Sequence, residues 1–108
     1  MENYLVNYSD EALQDLRDIY DYISITLKES QTADAKIKRI CNEIRTLNIF
    51  PRRYKAVEWE PWSKCEMRQM PVDNFIIFYV VDDASGCVSI VRILYGKRDL
   101  PVIIKNKS

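Results

Sequence analysis

Phe75-Ile76-Ile77-Phe78-Tyr79-Val80-Val81, then Asp82-Asp83-Ala84-Ser85-Gly86, then Val88-Ser89-Ile90-Val91-Arg92-Ile93-Leu94-Tyr95: two apolar runs, rich in β-branched and aromatic residues, separated by turn formers. Side chains of that kind suit a pleated surface, so the stretch reads as two antiparallel strands. Asp73-Asn74 is another turn signal, and Glu66 to Val72 before it reads as a third strand, completing a meander. Both long runs are apolar on either side, which a sheet face open to water does not tolerate. One face therefore needs a layer of helices, and the other needs a partial cover or a partner.

The helices lie upstream. Tyr4, Val6 and Tyr8 alternate with Asn3, Leu5 and Asn7, giving a short strand over residues 3–8. Ser9 is a natural N-cap, with Asp10 and Glu11 in the first turn against the helix dipole. Ala12, Leu13, Leu16, Ile19, Tyr20, Ile23 and Leu27 follow at three- and four-residue spacings, predicting a helix over about residues 10–27 with Asp15, Asp18 and Asp21 on its outer face. Thr32 is the expected cap of a second helix whose stripe is Ala33, Ile37, Ile40, Cys41, Ile44 and Leu47, closed by Phe50-Pro51. The break between the helices is short, so they should form an antiparallel hairpin. The expected fold is a single α+β domain over residues 1–108, in the order β-α-α-β-β-β, with the helical hairpin packed on an antiparallel sheet.

Composition narrows the chemistry. The chain has 108 residues, 47% hydrophobic and 30% charged, an ordinary globular balance large enough for one core. It has no His, which excludes Ser-His-Asp triads, Cys-His dyads and most zinc sites. Cys41, Cys65 and Cys87 are odd in number and form no Cys-x-x-Cys pair, so they read as reduced thiols rather than a disulfide framework or redox motif. No cofactor or metal is expected. No apolar run is long enough to cross a membrane, and the N-terminus lacks the basic start of a signal peptide, so a cytoplasmic location is expected.

Net charge is zero, yet it is laid down in blocks. Residues 1–34 carry −6, residues 35–57 carry +6, residues 58–83 carry −4 and residues 84–108 carry +4. Such blocks are either solvated helix faces paired with one another or surfaces of opposite sign kept for partners. A sequence pI near 6.3 supplies no global pull toward nucleic acid. Arg92 is the one charge within an apolar strand. It must either face a partner across the open sheet or pair with a helix carboxylate such as Asp15 or Asp18.

The chain resembles the RelE/ParE superfamily of toxins from type II toxin–antitoxin systems, the plasmid-stabilisation type. The resemblance is carried by Tyr4 to Ala12 with Leu16, Ile19, Tyr22 and Ile23, by Phe50-Pro51, by Met67-Arg68-Gln69-Met70-Pro71-Val72 and Phe75 to Tyr79, and by Ile90 to Leu100. It implies a growth-inhibiting toxin, a hetero-oligomer with a cognate antitoxin that neutralises it, and one of two targets. RelE-like members cut mRNA on the ribosome without metal, using clustered cations. Under that reading Arg68, Lys97 and Arg98 would be catalytic, with Glu66 a base. Here the third-strand position where those nucleases place an arginine is Ile76, and the tail after Arg98 has neither Tyr nor His. ParE-like members inhibit DNA gyrase, and the wording of residues 67–72 and 92–101 is nearer to that branch. On the gyrase reading Arg68, Arg92, Arg98, Trp59 and Trp62 would contact a partner. A third alternative is an inactive module that binds the antitoxin and co-represses its operon.

Overall fold

A computed structural model describes residues 3–96. Strand β1 (Leu5–Tyr8) is followed by helix α1 (Asp10–Asp21), helix α2 (Ser30–Arg45) and strands β2 (Arg68–Val72), β3 (Phe75–Asp82) and β4 (Cys87–Tyr95). The expected α+β order is therefore the observed one. The sheet runs β1-β4-β3-β2, with β2, β3 and β4 antiparallel as expected. Strand β1, however, lies parallel to β4, with Leu5 opposite Cys87 and Tyr8 opposite Ile90, so the sheet is mixed. The reason is the hairpin: a chain that leaves β1 through two helices on one face returns to the opposite edge of the sheet at β2. The meander then brings β4 back alongside β1.

Ser9 caps α1 as the sequence indicates, its hydroxyl accepting from the Ala12 N–H at 3.0 Å and donating to the Val91 carbonyl at 2.8 Å. The helix does not continue regularly to residue 27. Tyr22–Thr26 form a wider turn closed by the Leu27 N–H on the Tyr22 carbonyl at 3.1 Å. One extra residue in that turn rotates the stripe: Ile23 stays buried, while Leu27 is turned out to 51% exposure. Leu13 also faces outward. Lys28 takes a left-handed conformation at the reversal, and α2 starts at Ser30 with Glu29 before it, so Thr32 lies inside the first turn instead of capping it. After Arg45 the chain tightens into a short helical turn, Thr46–Asn48, and Phe50 adopts φ 52°, ψ 56° before Pro51.

Two apolar clusters flank the sheet. Ala12, Ile40, Ile44 and Leu47 from the helices pack against Ile77 and Ile90 on one face. The other face is covered by the chain's own loop between residues 55 and 67, where Val57, Met67, Trp59 and Trp62 pack on Phe78 and Leu94. The cover predicted as partial or foreign is thus largely intrinsic. The loop also pairs with the outer edge of β2: Ala56 bridges Arg68, and the Val57 N–H donates to the Met67 carbonyl at 2.7 Å. At the far end of β2, the Gly96 N–H donates to the Asn74 carbonyl at 2.8 Å. A Cβ at Gly96 would meet the Ile76 side chain at 3.1 Å, a tight contact that Ile76 would have to yield to.

Candidate functional site

The end of α2 and the segment that follows it carry a run of bases. Between Ile44 and Val57 there are four bases and no acid. Arg53 turns back over the end of the helix, donating to the carbonyls of Ile49 at 2.7 Å and Thr46 at 3.2 Å and to the Thr46 hydroxyl at 2.6 Å. These are carbonyls a helix terminus leaves without partners, which is why an arginine is held there. Its guanidinium also lies 5.1 Å from the centre of the Tyr54 ring. Arg68, at the start of β2, reaches the same loop from the sheet and donates to the Tyr54 carbonyl at 2.7 Å and the Arg52 carbonyl at 3.2 Å. Beneath them the Tyr79 hydroxyl donates to the Pro51 carbonyl, and burial pushes its pKa up to about 12.

Arg52 is used differently. It makes a two-point pair with Asp83 in the β3–β4 turn at 2.9 and 3.0 Å, and the Tyr4 hydroxyl donates to the same carboxylate at 2.8 Å. Those bonds hold the Asp83 carboxyl below its ordinary range. At the other end of the sheet Lys36 and Arg39 both reach Asp73 at 2.9 Å, lowering that carboxyl likewise. The basic block therefore finds its acids in the two hairpin turns. Among the described residues Arg45, Arg53, Lys55 and Arg68 make no ion pair, and Arg53 and Arg68 have only neutral oxygens as partners.

The residues singled out in the sequence do not converge. Arg92 is not a contact on an open face: it is 8% exposed and makes a bidentate pair with Asp15 at 2.8 and 2.9 Å. Asp15 accordingly is not on the outer face of α1 but 7% exposed beneath it, three residues after Ala12 and on the same side. Its carboxylate also accepts the Ile93 N–H at 2.9 Å. A bulge opposite Phe78 and Tyr79, just beyond the last residue that β1 pairs, leaves the Val91 carbonyl and the Ile93 N–H to Ser9 and Asp15. Glu66 is not on a strand with Arg68. It closes a short helical turn, Trp62–Cys65, in a left-handed conformation, so the two side chains do not share a face by alternation. Trp59 and Trp62 stack with centroids 5.5 Å apart and both touch Phe78, so they serve the chain's own packing while remaining half-exposed. Lys97 and Arg98 lie outside the described residues. The Gly96 that precedes them sits at the Asn74 end of β2, opposite to the end that carries Arg68.

Chemically, the described residues hold no acid–base pair poised to activate a hydroxyl and no cluster of ligands for a metal ion. Their offer is two guanidiniums, those of Arg53 and Arg68, held by backbone carbonyls beside Tyr54. Sequence reasoning overlooked Arg53 and Tyr54. The signal was present in Arg52-Arg53-Tyr54-Lys55, an Arg-rich run set just after a helix-ending proline.

Residues 6–100 match a family model described as the ParE toxin of the type II toxin-antitoxin system parDE. No curated protein matches the sequence significantly. Among solved structures, the chromosomal ParDE toxin–antitoxin system from P. aeruginosa is similar with a TM-score of 0.70 at 18% identity, over 85% of this chain and 95% of that one. The RelBE2 toxin–antitoxin complex from Mycobacterium tuberculosis aligns with a TM-score of 0.61 at 19% identity, over 88% and 93%. A free mutant of the E. coli RelE toxin aligns with a TM-score of 0.62 at 11% identity, over 96% and 97%. At these identities the structural matches speak for the fold.

Proposed function

Since the chain belongs to the ParE toxin family of type II toxin–antitoxin systems, we propose that it arrests growth by binding DNA gyrase and is held inactive by a cognate antitoxin. The observation that carries the choice of target is the state of the cations on the sheet. Metal-independent cleavage of RNA needs charges free to meet the phosphate as it becomes more negative. Arg68 instead is tied to two backbone carbonyls, Arg92 is buried against Asp15, and Ile76 adds an apolar side chain to the cluster around Phe78 and Leu94. A surface built this way acts by binding.

The test uses purified toxin and purified gyrase. Excess toxin should block supercoiling or trap cleaved DNA, and undiminished supercoiling would overturn the gyrase reading. Induced expression gives the second arm. A DNA-damage response with intact transcripts is expected, whereas new 5′ ends in the ribosomal A-site codon would assign Lys97, Arg98 and Arg68 to an mRNA endonuclease. Unimpaired growth would leave only an antitoxin-binding co-repressor. Co-expression of a short acidic protein encoded beside the toxin should restore growth.

A further inference from the structure

The reversal between α1 and α2 shows apolar side chains to water. Tyr22, Ile25 and Leu27 are 59%, 69% and 51% exposed. The wide turn is what puts them there. Leu27 lies one such turn beyond Tyr22, its N–H on the Tyr22 carbonyl at 3.1 Å, instead of a regular turn beyond Ile23 in the core. Turns of this pitch are rare and recur at functional sites. The Glu29 N–H donates to the Ile23 carbonyl at 3.1 Å across the left-handed Lys28, so the three side chains stand on hydrogen-bonded backbone. The charge around them is acidic. Asp18 lies one turn before Tyr22, whose N–H its carbonyl accepts, Asp21 directly precedes Tyr22, and Glu29 follows the reversal. None of the three makes an ion pair among the described residues, and the Asp18 carboxylate has only the Gln14 amide at 2.9 Å.

The basic block takes its acids from the two hairpin turns, so the −6 of residues 1–34, where Arg17 and Lys28 are the only bases, is compensated at Asp15 alone among the described residues. An apolar centre with a negative rim repels nucleic acid and anionic lipid, and it fits a positively charged protein surface. An enzyme that grips duplex DNA exposes such a surface along and beside its DNA track. Resting on the gyrase reading, we propose that this reversal is where the toxin docks on gyrase. Tyr22, Ile25 and Leu27 enter an apolar hollow in a basic surface beside the DNA track, and Asp18, Asp21 and Glu29 meet the cations around it. Large side chains seated at the centre of an interface carry most of its energy, while a charged rim chiefly sets the rate of association. The two contributions can therefore be read separately.

Biolayer interferometry of full-length toxin on immobilised gyrase, with supercoiling assayed in parallel, tests it. Ile25→Ser combined with Leu27→Ser should weaken binding and inhibition roughly thirtyfold. The circular dichroism spectrum and melting temperature should stay as they are, since both positions are exposed. Asp18→Lys combined with Asp21→Lys should slow association about tenfold at low salt and change dissociation little, and added salt should erase the difference. Wild-type toxin that leaves supercoiling undiminished would remove the gyrase reading and this docking together. Wild-type toxin that inhibits, with the serine variant inhibiting equally, would overturn the docking and leave the reading in place. A dimer of the toxin alone that the serine variant abolishes would also overturn it, by giving the reversal to a second copy of the chain.

Discussion

Asp15 does more for the structure than its position on a helix suggests. Its two oxygens take three donors, the Nε and Nη2 of Arg92 and the N–H of Ile93, all out of water. A buried pair of this kind is not in itself strongly stabilising, because taking both charges out of water costs nearly what their attraction returns. Breaking it is another matter. Asp15→Asn leaves a guanidinium without its counter-charge and should cost about 3–5 kcal/mol. That is enough to lower the melting temperature by more than about 10 °C in a domain this size. Replacing Arg92 by Met in the same chain should recover much of the loss. Thermal unfolding of the two single variants and the double variant would measure the coupling, and additive effects would show that the pair holds nothing together. The sequence leaves this residue open, because a helix carboxylate and a strand arginine separated by 77 positions carry no local signal of meeting. Only the bulge in β4, which presents the Ile93 N–H, decides it.

Elements were legible wherever hydrophobic period spoke. The two β-rich runs, the turn at Asp73-Asn74, the Ser9 cap and the stripe of α2 all stand in the structure as the spacing predicts. What the period cannot show is a change of pitch. The wide turn at Tyr22–Thr26 follows a sequence that reads as continuous helix, yet it separates Ile23 from Leu27. Nor does alternation show whether a short first strand joins its neighbour parallel or antiparallel. The candidate site was the least legible part, since Arg53 and Arg68 are placed by carbonyls of a terminus and a loop, which any residue type supplies. The element-scale expectation follows directly. Ile44→Ala, in the packed row of α2, should cost about 2–5 kcal/mol, whereas Leu27→Ser should change stability by less than about 0.5 kcal/mol. Urea unfolding of both variants reads the difference, and equal costs would mean that the helix continues its regular pitch through residue 27.

At the scale of the molecule, two acidic turns at opposite ends of the sheet are held by the basic block: Asp73 by Lys36 and Arg39, and Asp83 by Arg52 and the Tyr4 hydroxyl. Both carboxyls are lowered, by hydrogen bonds from Lys36 and Arg39 and from Arg52 and Tyr4. The unfolded chain, with ordinary carboxyls near 4, then takes up these protons first as pH falls. The clamps therefore contribute fully above about pH 4 and are lost as pH drops through the lowered values. Melting temperature should fall over that acid range, and Asp73→Asn with Asp83→Asn should flatten the fall. An unchanged acid limb in the double variant would show the clamps to be inert. Both lie in water, so added salt should mute the effect.

The parallel seam between the first and last strands has a bearing on how the toxin comes into being. Leu5 leaves the ribosome early, but its partner Cys87 is translated 82 residues afterwards, and at about 5–20 residues per second the wait lasts several seconds. Until the final strand arrives, neither the neighbour that β1 pairs with nor the bulge that receives Ser9 and Asp15 exists. A nascent chain thus lacks the strand that joins β1 to the rest of its sheet until its synthesis is almost finished.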